Sequence, residues 1–384
     1  MSNRWKGGFV QYFFDPLSVG PASEFGPLYS WGDNADGMLG QNTEAGATAS
    51  RRSSPVQIGS ASIWLNVAAG YRHSVATTVG GELYAWGKNT FGNLGVGDTV
   101  ARSSPVQVGS LTNWDKVSAG NNYCLAIKTD GTLWGWGLNS DGQIGNGVRV
   151  NASSPVQVGS LTTWTKVSCG HTTSFAINSS SELYSWGSGY KSGSGHGDTT
   201  YRSSPVQVGS LAWLDVKGGY RGAMAITTDN KLYGWGKNAD GEIGDNSRTD
   251  RNAPVQIGSL TNWKTPGRAD KHAACVKTDG TLWMWGRNFN GELMVDDRVY
   301  RSSPVQVGSD TDWELPATGS RMQYFQHVIK TDGTLWAAGG NTSGVLGLNI
   351  AQAISRSSPV QVGSETTWRN VAGGQKHALA SEES

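Results

Sequence analysis

One nine-residue phrase constrains what this chain can fold into, because it returns seven times at an almost constant interval. The form RSSPVQVGS stands at residues 301–309, and related copies begin at residues 52, 102, 152, 202, 251 and 356. Its proline recurs at intervals of 50, 50, 50, 49, 50 and 55 residues. Self-similarity at such a period is typical of repeat architectures, in which each repeat is one supersecondary unit.

Two tryptophan markers keep the same period and also indicate seven units. A single Trp follows each phrase, at Trp64, Trp114, Trp164, Trp213, Trp263, Trp313 and Trp368. A Trp-Gly pair occurs once per unit, at Trp31, Trp86, Trp136, Trp186, Trp235 and Trp285, with Ala338-Gly339 in the last unit.

Within a unit the apolar residues alternate with a period of two, which is the period of a half-buried strand. Large and small residues alternate in GELYAWG (81–87) and GTLWGWG (131–137). Thr-Asp-Gly turns, as at residues 129–131, separate two such strands, because Gly readily takes the left-handed conformation. The PVQVG phrase reads as a further short strand whose proline suits a sheet edge. Each unit therefore predicts about four short strands and no helix.

Four-stranded units repeated radially make a β-propeller, which removes most exposed strand edges by closing on itself. A linear solenoid is the alternative, and it would need polar caps at both ends. Here the repeats begin midway through a unit with LYSWG (28–32) and end midway through one with WRNVAGGQKHALA (368–380). The two partial units complement one another. We therefore predict an all-β, seven-bladed β-propeller over residues 27–380, closed by N- and C-terminal strands that share one blade, with an arm over 1–26 and a tail over 381–384.

The repeats resemble a known family. VAAGYRHSVA (67–76), TDGTLWGWGLNSDGQIG (129–145) and PVQV (105–108) are similar to the RCC1 repeat. The resemblance extends over residues 27–380. Kelch propellers share a period near 50 but place a Gly-Gly doublet ahead of a Tyr and a Trp, which fits these units less well.

The resemblance implies a fold more firmly than a function, because one fold hosts many functions. In eukaryotic members the ring exchanges nucleotide on a small GTPase while it is docked on chromatin through a basic tail and an inserted wedge. This chain has no basic tail, and its largest excess over the repeat length is five residues, which we place around residues 349–354. Plant ultraviolet receptors of the family use Trp in a G-W-R-H-T turn, where this chain has GYRHS (70–74) and GYRGA (219–223).

Charge and composition argue against several other classes. The net charge of +1 gives no general electrostatic attraction to nucleic acid or an anionic membrane. No run of 18 apolar residues occurs, so the sequence predicts no membrane-spanning helix. The N-terminal residues lack the pattern of a secretory signal. The three cysteines, Cys124, Cys169 and Cys275, fit no disulfide or metal spacing.

The sequence offers no supported catalytic site, metal site or cofactor. His73, His272 and His377 share one repeat position, but equivalent positions are spread around a ring, so we interpret them as structural rather than as metal ligands. DNADGMLG (33–40) places Asp33, Asn34 and Asp36 close together without the Glu of a calcium loop, so turn chemistry is the better interpretation. We therefore predict that the chain is not an enzyme.

One constellation suggests a binding site. Most residues found eight positions after the unit Trp are basic, and the turn that holds them should point to the same face in every blade. Tyr71 and Tyr220 stand beside two of them, and aromatic residues of this kind are enriched at interfaces. We call the basic residues the crown; they are Arg72, Arg221, Lys271, Arg321 and Lys376. The crown predicts a site for an acidic protein surface or an anionic glycan, and the alternative is ordinary solvated charge or ion pairs with adjacent loops.

The segment before the ring is the second candidate site. Its aromatic density is wrong for a disordered linker, so it either folds against the ring or docks onto another protein. The aromatic residues that we expect to anchor it are Trp5, Phe9, Tyr12, Phe13 and Phe14. The segment also resembles the N-terminal segments of phage structural proteins that carry RCC1-like repeats.

Two functions follow as hypotheses. The first is a non-enzymatic phage virion component (of the tail, a fibre or the capsid), anchored to its assembly by the arm and presenting a ring face to a protein or glycan. Such a protein is made in the host cytoplasm and located in the virion. The second is a cytoplasmic protein-interaction propeller, such as a small-GTPase regulator. A propeller glycosidase or lyase would need convergent carboxylates in the channel, and the sequence identifies none.

Overall fold

The protein folds as a ring of seven sheets, six of them four-stranded and antiparallel and the seventh extended by a short fifth strand, in a computed structural model that describes residues 25–43, 51–61, 63–190, 193–319 and 324–383. Six sheets are built from consecutive strands and form blades 1 to 6. The seventh, the closing blade, joins strands from both ends of the chain. The seven-bladed all-β fold predicted from the repeats is confirmed.

Each blade contributes one strand to each of four concentric layers. The innermost strands are β3 (Trp64–Ala69), β7 (Trp114–Ala119), β11 (Trp164–Cys169), β15 (Trp213–Gly218), β19 (Trp263–Arg268), β23 (Trp313–Pro316) and β28 (Trp368–Gly373). The second strands are β4 (His73–Thr78), β8 (Tyr123–Lys128), β12 (Thr173–Asn178), β16 (Gly222–Thr227), β20 (His272–Lys277), β25 (Phe325–Lys330) and β29 (His377–Glu382). The third strands are β5 (Leu83–Gly87), β9 (Leu133–Gly137), β13 (Leu183–Gly187), β17 (Leu232–Gly236), β21 (Leu282–Gly286), β26 (Leu335–Gly339) and β1 (Leu28–Gly32). The outer strands are β6 (Arg102–Gln107), β10 (Ala152–Gln157), β14 (Arg202–Gln207), β18 (Arg251–Gln256), β22 (Arg301–Gln306), β27 (Arg356–Gln361) and β2 (Arg52–Gln57).

The closing blade confirms the predicted sharing of one sheet by the two termini. β28 and β29 come from the C-terminal end, and β1 pairs antiparallel with β29 from Leu28↔Ser381 to Gly32↔His377. A two-residue strand, β24 (Thr318–Gly319), pairs parallel with β28 and links blade 6 to the closing blade. Because β29 continues through Glu382, the predicted tail is too long, and residues 381–382 belong to the propeller.

The repeated phrase forms the outer strand of each blade, where a proline removes no ladder hydrogen bond from the middle of a sheet. Its arginine binds the loop just before it: Arg102 pairs with Asp98 at 2.6 Å, and the Arg202–Asp198 and Arg301–Asp297 pairs repeat this contact. In blade 2, which has Ala152 instead, Val148 replaces the aspartate as well. In these three blades the arginine therefore binds the end of the loop that precedes its own strand.

The hydrophobic core lies between the blades. Trp136 of blade 2 packs against Leu83 and Leu94 of blade 1, and its indole N–H donates to the carbonyl oxygen of Asn93 at 3.1 Å. Gly95 takes a φ of +74°, and a Cβ there would lie 2.9 Å from Trp136. The Trp-Gly tryptophans thus join blade to blade, and the bonds are Trp31→Val345, Trp86→Met38, Trp136→Asn93, Trp186→Gln143 and Trp235→Gly193 at 2.8–3.2 Å.

Blade 5 departs from this pattern. The Trp285 indole N–H has no partner among the described residues, because the Arg268 guanidinium donates to the carbonyl oxygen of Glu242 at the equivalent place. Arg268 is 1% exposed and stands where the other blades have small residues. Burial raises the pKa of Glu242, although the nearby Arg268 acts in the opposite direction.

Blade 6 carries the extra length of the chain in two places. Phe325 follows Trp313 by twelve residues, whereas His73 follows Trp64 by nine, and the register Phe325↔Gly339 matches His73↔Gly87. Three extra residues therefore precede β25, and two more lie in the loop between β26 and β27. Our expectation that all five sit around residues 349–354 is wrong. The described residues contain no helix that is long and apolar enough to cross a membrane.

Candidate binding face

One face of the ring, which we call the loop face, gathers the variable loops. Adjacent strands are antiparallel, so the turns between first and second strands emerge on the same side as the long loops between third and outer strands. We call the opposite side the turn face. The crown turns and the Gly-rich loops therefore share the loop face, as the sequence predicts for the crown.

The Gly-rich loops are held by their own asparagines. The side-chain oxygen of Asn89 accepts from the Leu94 amide at 2.9 Å, and its nitrogen donates to the Asp98 and Val100 carbonyl oxygens. The same arrangement recurs at Asn238, whose side chain bonds the Ile243 amide at 2.8 Å. Hydrogen bonds within each turn therefore explain the polar residues of these loops, as predicted for residues 33–40. No cluster of three or more His, Cys, Asp or Glu suited to a metal ion is found within the described ranges.

The three repeated histidines are buried between blades. His73 contacts the Cys124 sulfur at 3.2 Å, His272 the Gln326 side-chain oxygen at 3.1 Å, and His377 the Ser74 hydroxyl at 3.2 Å. Burial lowers the pKa of His73 to about 3, and those of His272 and His377 to about 4. These rings are therefore neutral hydrogen-bonding links between neighbouring blades at neutral pH. The three cysteines are buried and free.

Two crown residues form ion pairs with the loop of the preceding blade. Arg72 lies 3.1 Å from Asp36 and also donates to the Gln375 side chain at 3.2 Å. Lys271 lies 3.5 Å from Asp240. Each pair is partly exposed and nearly neutral as a unit. The crown is therefore charged unevenly, and these two positions offer less positive potential than their sequence alone predicts.

The next two crown positions are those of the closing blade and of blade 6. Lys376 is half-buried at the same register position in the closing blade. In blade 6 the residue in the register of Arg72 is Tyr324, whose carbonyl accepts from the Gly340 amide just as that of Arg72 accepts from Lys88. Tyr324 therefore holds this register in blade 6; Arg321 lies outside the described residues, and its place in the crown stays a prediction.

Arg221 is the crown residue with the most distinctive surroundings. Its guanidinium lies 4.5 Å from the ring centre of Tyr220 and 4.8 Å from that of Tyr190, which belongs to the loop of blade 3. Tyr190 is 49% exposed, and Tyr201 is 39% exposed. Together with Asp141 and residues 171–173 they surround a cavity of about 180 Å³. We call Tyr190, Tyr201, Tyr220 and Arg221 the tyrosine patch.

Sequence reasoning found half of this patch and missed Tyr190 and Tyr201. The signal was available, because the blade 3 loop reads SGYKSGSG (188–195), whereas every other blade has Asn at the second loop position followed by Gly-x-Leu or Gly-x-Ile. A second arginine with aromatic neighbours was also missed: Arg287 lies 4.5 Å from the Tyr324 ring and 5.4 Å from that of Phe289, which is 61% exposed. At both the blade 3 loop and the surroundings of Arg287, the sequence departs from the repeat.

The second predicted site, the N-terminal arm, falls mostly outside the residues that the structure describes. The anchoring residues Trp5, Phe9, Tyr12, Phe13 and Phe14 lie outside the described residues, so the arm stays a prediction. Phe25 is described, and its ring faces the Arg369 guanidinium at 5.5 Å beside the start of β28. Because β1 runs from the turn face to the loop face, the chain enters the ring on the turn face, opposite the tyrosine patch.

Solved structures share this fold at low sequence identity. Human WBSCR16 superposes with a TM-score of 0.81 and 18% identity, covering 93% of this chain and 99% of that one. Prp20p from Saccharomyces cerevisiae superposes with a TM-score of 0.80 and 17% identity, covering 94% and 92%. The Prp20p structure was described with its binding properties to Gsp1p and histones, and another structure shows yeast RCC1 (Prp20) with Kap60 bound.

Curated relatives match over short stretches. A Caenorhabditis elegans X-linked retinitis pigmentosa GTPase regulator homolog is 38% identical over 73 residues, which is 18% of this chain and 5% of the relative. Human HERC4, a probable E3 ubiquitin-protein ligase, is 34% identical over 88 residues, 22% of this chain and 8% of the relative. The chain thus matches only a small part of the length of these relatives. The RCC1-like domain matches residues 22–325 and the RCC1 repeat matches residues 332–381, so the chain belongs to the RCC1-like domain family.

Proposed function

We propose that this chain is a non-enzymatic, protein-binding propeller whose loop face docks a partner around the tyrosine patch. The observation that carries the proposal is Arg221 between two tyrosine rings at the edge of a 180 Å³ cavity, on the face where the blades vary most. Tyr and Arg are the residue types that most often dominate protein interfaces when a partner excludes water from them.

The charges of the described residues support binding rather than catalysis. Of the carboxylates on the inner strands, Asp215 lies 3.4 Å from Lys217 and 3.9 Å from Lys166, and Asp115 lies 2.5 Å from Lys116. On the loop face, Asp36 and Asp240 pair with crown residues. A glycosidase or lyase that acted at the inner strands would need carboxylates free to act on one substrate there, and the pairing of Asp115 and Asp215 does not favour this.

Small GTPases are the first partner class to test. The Prp20p structure was described with binding to Gsp1p, and the C. elegans relative is named a GTPase regulator homolog. These similarities favour the GTPase-regulator hypothesis, with its cytoplasmic location, over the virion component. The virion proposal, with its arm-mediated assembly and glycan contact, rests on the aromatic segment alone. A complementary partner would place a carboxylate on Arg221 and apolar surface on Tyr190.

The test measures nucleotide release from a panel of small GTPases loaded with fluorescent GDP, with and without the full chain. We expect the chain to accelerate release from at least one member, and Tyr220→Ala/Arg221→Glu to reduce that acceleration at least about tenfold, as loss of an interface hot spot would. Lys376→Glu makes the same charge change at the same register position outside the patch, and should retain it.

A binding assay against the same immobilised GTPases separates exchange from docking. Binding without exchange would keep the propeller as a docking module and discard the exchange activity. If no GTPase binds, or if the double variant and Lys376→Glu behave alike, the patch is not the site and the proposal fails.

A further inference from the structure

Three blades hold a lysine of their own against a pair of tryptophans near the turn face. Lys128 Nζ lies 4.8 Å and 3.8 Å from the ring centres of Trp114 and Trp134. Lys277 lies 4.9 Å and 3.8 Å from Trp263 and Trp283. Lys330 repeats the contact in blade 6 with Trp313 and Trp336. Each ammonium therefore sits in a two-ring site that the ring quadrupoles make favourable for a cation.

The ring pair changes with the residue that faces it. In every blade one second-strand residue pairs in register with the inner-strand Trp, and it is Thr78, Lys128, Asn178, Thr227, Lys277, Lys330 or Glu382. Where it is Lys, the third strand supplies Trp; where it is not, the third strand supplies Tyr. This correspondence holds in all seven blades, which indicates that the lysine and the second indole form one unit.

The closing blade reverses the charge at this position. Its ring pair is Trp368 and Tyr29, with centres 5.2 Å apart and nearly perpendicular planes, and Glu382 stands where three of the other blades have Lys. A cleft of about 270 Å³ opens beside this pair between blade 6 and the closing blade. Glu382 and a second carboxylate, Glu365, line the cleft with the two rings.

The negative charge of the cleft is not balanced by the described chain. Glu382 is 8% exposed, its Oε1 has no hydrogen-bond partner among the described residues, and no described Lys or Arg pairs with Glu382 or Glu365. Burial raises the pKa of Glu382, and the nearby Glu365 acts in the same direction, whereas hydrogen bonds from Tyr29 and Thr367 act against it. Burial together with Glu382 raises the pKa of Tyr29 to about 12. The hydrogen bonds that Glu382 accepts thus come from neutral side chains, and no described cation offsets its charge.

Glutamates near two other Trp-Tyr pairs lie in the turn after the second strand, at a different position from Glu382, and are hydrogen-bonded there. In blade 3 the Asn178 side chain donates to Glu182 at 2.6 Å, and the Tyr184 hydroxyl donates to the same oxygen at 3.2 Å. In blade 1 the Thr78 hydroxyl bonds Glu82. These contacts depend on the turn that joins second and third strands. The closing blade has no such turn, because its second and third strands come from opposite ends of the chain.

We propose that the cleft formed by Tyr29, Trp368, Glu365 and Glu382 binds the ammonium group of a lysine side chain presented by a partner protein. Lys128, Lys277 and Lys330 show within the same molecule that this register accepts a lysine ammonium over two rings. The closing blade supplies the rings and two carboxylates, and the cleft has room for an incoming alkyl chain. This site is separate from the tyrosine patch and does not depend on the proposed function.

The experiment titrates the full chain with Nα-acetyl-lysine methylamide and follows the indole N–H resonance of Trp368, assigned with a Trp368→Phe variant. We expect saturable binding and at least about tenfold weaker binding of the uncharged Nα-acetyl-norleucine methylamide, since the norleucine analogue loses the ion pair and the cation–π contact. Glu382→Lys should abolish lysine binding, because it places the chain's own ammonium on the rings as in blade 5.

Two further variants keep the test decisive if Glu382→Lys folds poorly. Glu382→Gln keeps the side-chain shape, removes the charge and should weaken binding about tenfold. Glu182→Gln removes a glutamate beside the equivalent ring pair of blade 3 and should leave binding unchanged. Equal binding of the norleucine analogue, or unchanged lysine affinity in Glu382→Gln, would overturn the proposal.

Discussion

Blade 5 and the closing blade build the same sheet and put opposite charges at the same place. In blade 5, Lys277 lies over Trp263 and Trp283, whereas in the closing blade Glu382 stands beside Trp368 and Tyr29. The strand register is identical, so backbone pairing does not select the charge at this position. The local ring pair and the neighbouring turn select it instead.

The turn explains much of the difference. In blade 5 a continuous chain of bonds runs from the Trp283 indole N–H to the Thr281 hydroxyl at 2.9 Å and on to Asp279 at 2.7 Å. In the closing blade the corresponding contact joins chain ends, with the Glu382 amide donating to the Pro27 carbonyl at 3.2 Å. In blade 5 these hydrogen bonds lie within one continuous segment of the chain, whereas in the closing blade the aromatic pair borders a cleft.

Acidification is expected to have the largest effect on stability, and it tests the buried histidine that the two blades share. His272 and His377 occupy the same register position, and burial lowers the pKa of each to about 4. The unfolded chain takes up protons on these rings below about pH 6.5, whereas the folded ring does so only near pH 4. Stability is therefore lost as the pH falls from 6.5 towards 4, by about 2 kcal/mol per buried His at pH 5.

Urea unfolding at pH 7 and pH 5 measures this loss. His73 and His327 act in the same direction, while Glu242 and Glu292, whose pKa values burial raises, take up protons and offset part of it. His272→Gln and His377→Gln should each reduce the pH dependence by the same amount. A reduction in only one of the two variants would show that the closing blade is not equivalent to blade 5 at this junction.

Much of this comparison could be predicted from the sequence. The period, the Trp markers and the split repeat determine seven blades and a shared closing blade, because each unit must bury its apolar faces against its neighbours. The crown turns could be placed on one face by strand order alone. The charge balance of the crown could not be predicted, because the aspartates that pair with Arg72 and Lys271 come from the preceding blade, 36 and 31 residues upstream.

Other features of the structure could not be predicted from the repeat pattern, and the reasons are physical. Counting residues from Trp313 placed Arg321 in the crown, but the three inserted residues are visible only in the register of β25 with β26. Arg268 is buried and donates to the carbonyl oxygen whose equivalent a tryptophan binds in other blades, and its position in the repeat gives no sign of this. Each lysine and its third-strand tryptophan share a local motif, KTDGTLW at 128–134, 277–283 and 330–336, but the second ring of the pair comes from the inner strand and cannot be recognised from this motif.

Exchanging the two charges should give the next largest effect. Lys277→Glu places a carboxylate against the negative faces of two indole rings, in a position that is 5% exposed, and should cost about 3 kcal/mol. Glu382→Lys adds a cation to an unbalanced anionic site and should raise stability by about 1 kcal/mol. Chemical denaturation at pH 7 gives both free energies of unfolding.

Lys277→Thr is the matched control, because Thr78 and Thr227 show that threonine fits this register. It should cost less than Lys277→Glu, since it removes the cation–π contact without adding a charge. If Glu382→Lys destabilises the ring as much as Lys277→Glu does, then the closing blade does not have a Lys-compatible ring pair.

The smallest expected effect concerns the loop-face ion pairs beside the same two blades. Asp240→Asn removes the partner of Lys271 in the blade 5 turn, and Asp36→Asn changes the loop of the closing blade that pairs with Arg72. Side chains in both pairs are 20–33% exposed, so water and salt screen the attraction, and each substitution should cost less than about 1 kcal/mol. Unfolding measured in 0.05 M and 0.5 M salt should show both costs shrinking at the higher concentration.

Arg72 keeps its bond to Gln375, which lies in the closing blade itself, so Asp36→Asn should cost the less of the two. A larger or salt-independent loss for Asp36→Asn would mean that the seam between the chain ends depends on this pair, and that the closing blade is held shut from the loop face as well as through its sheet.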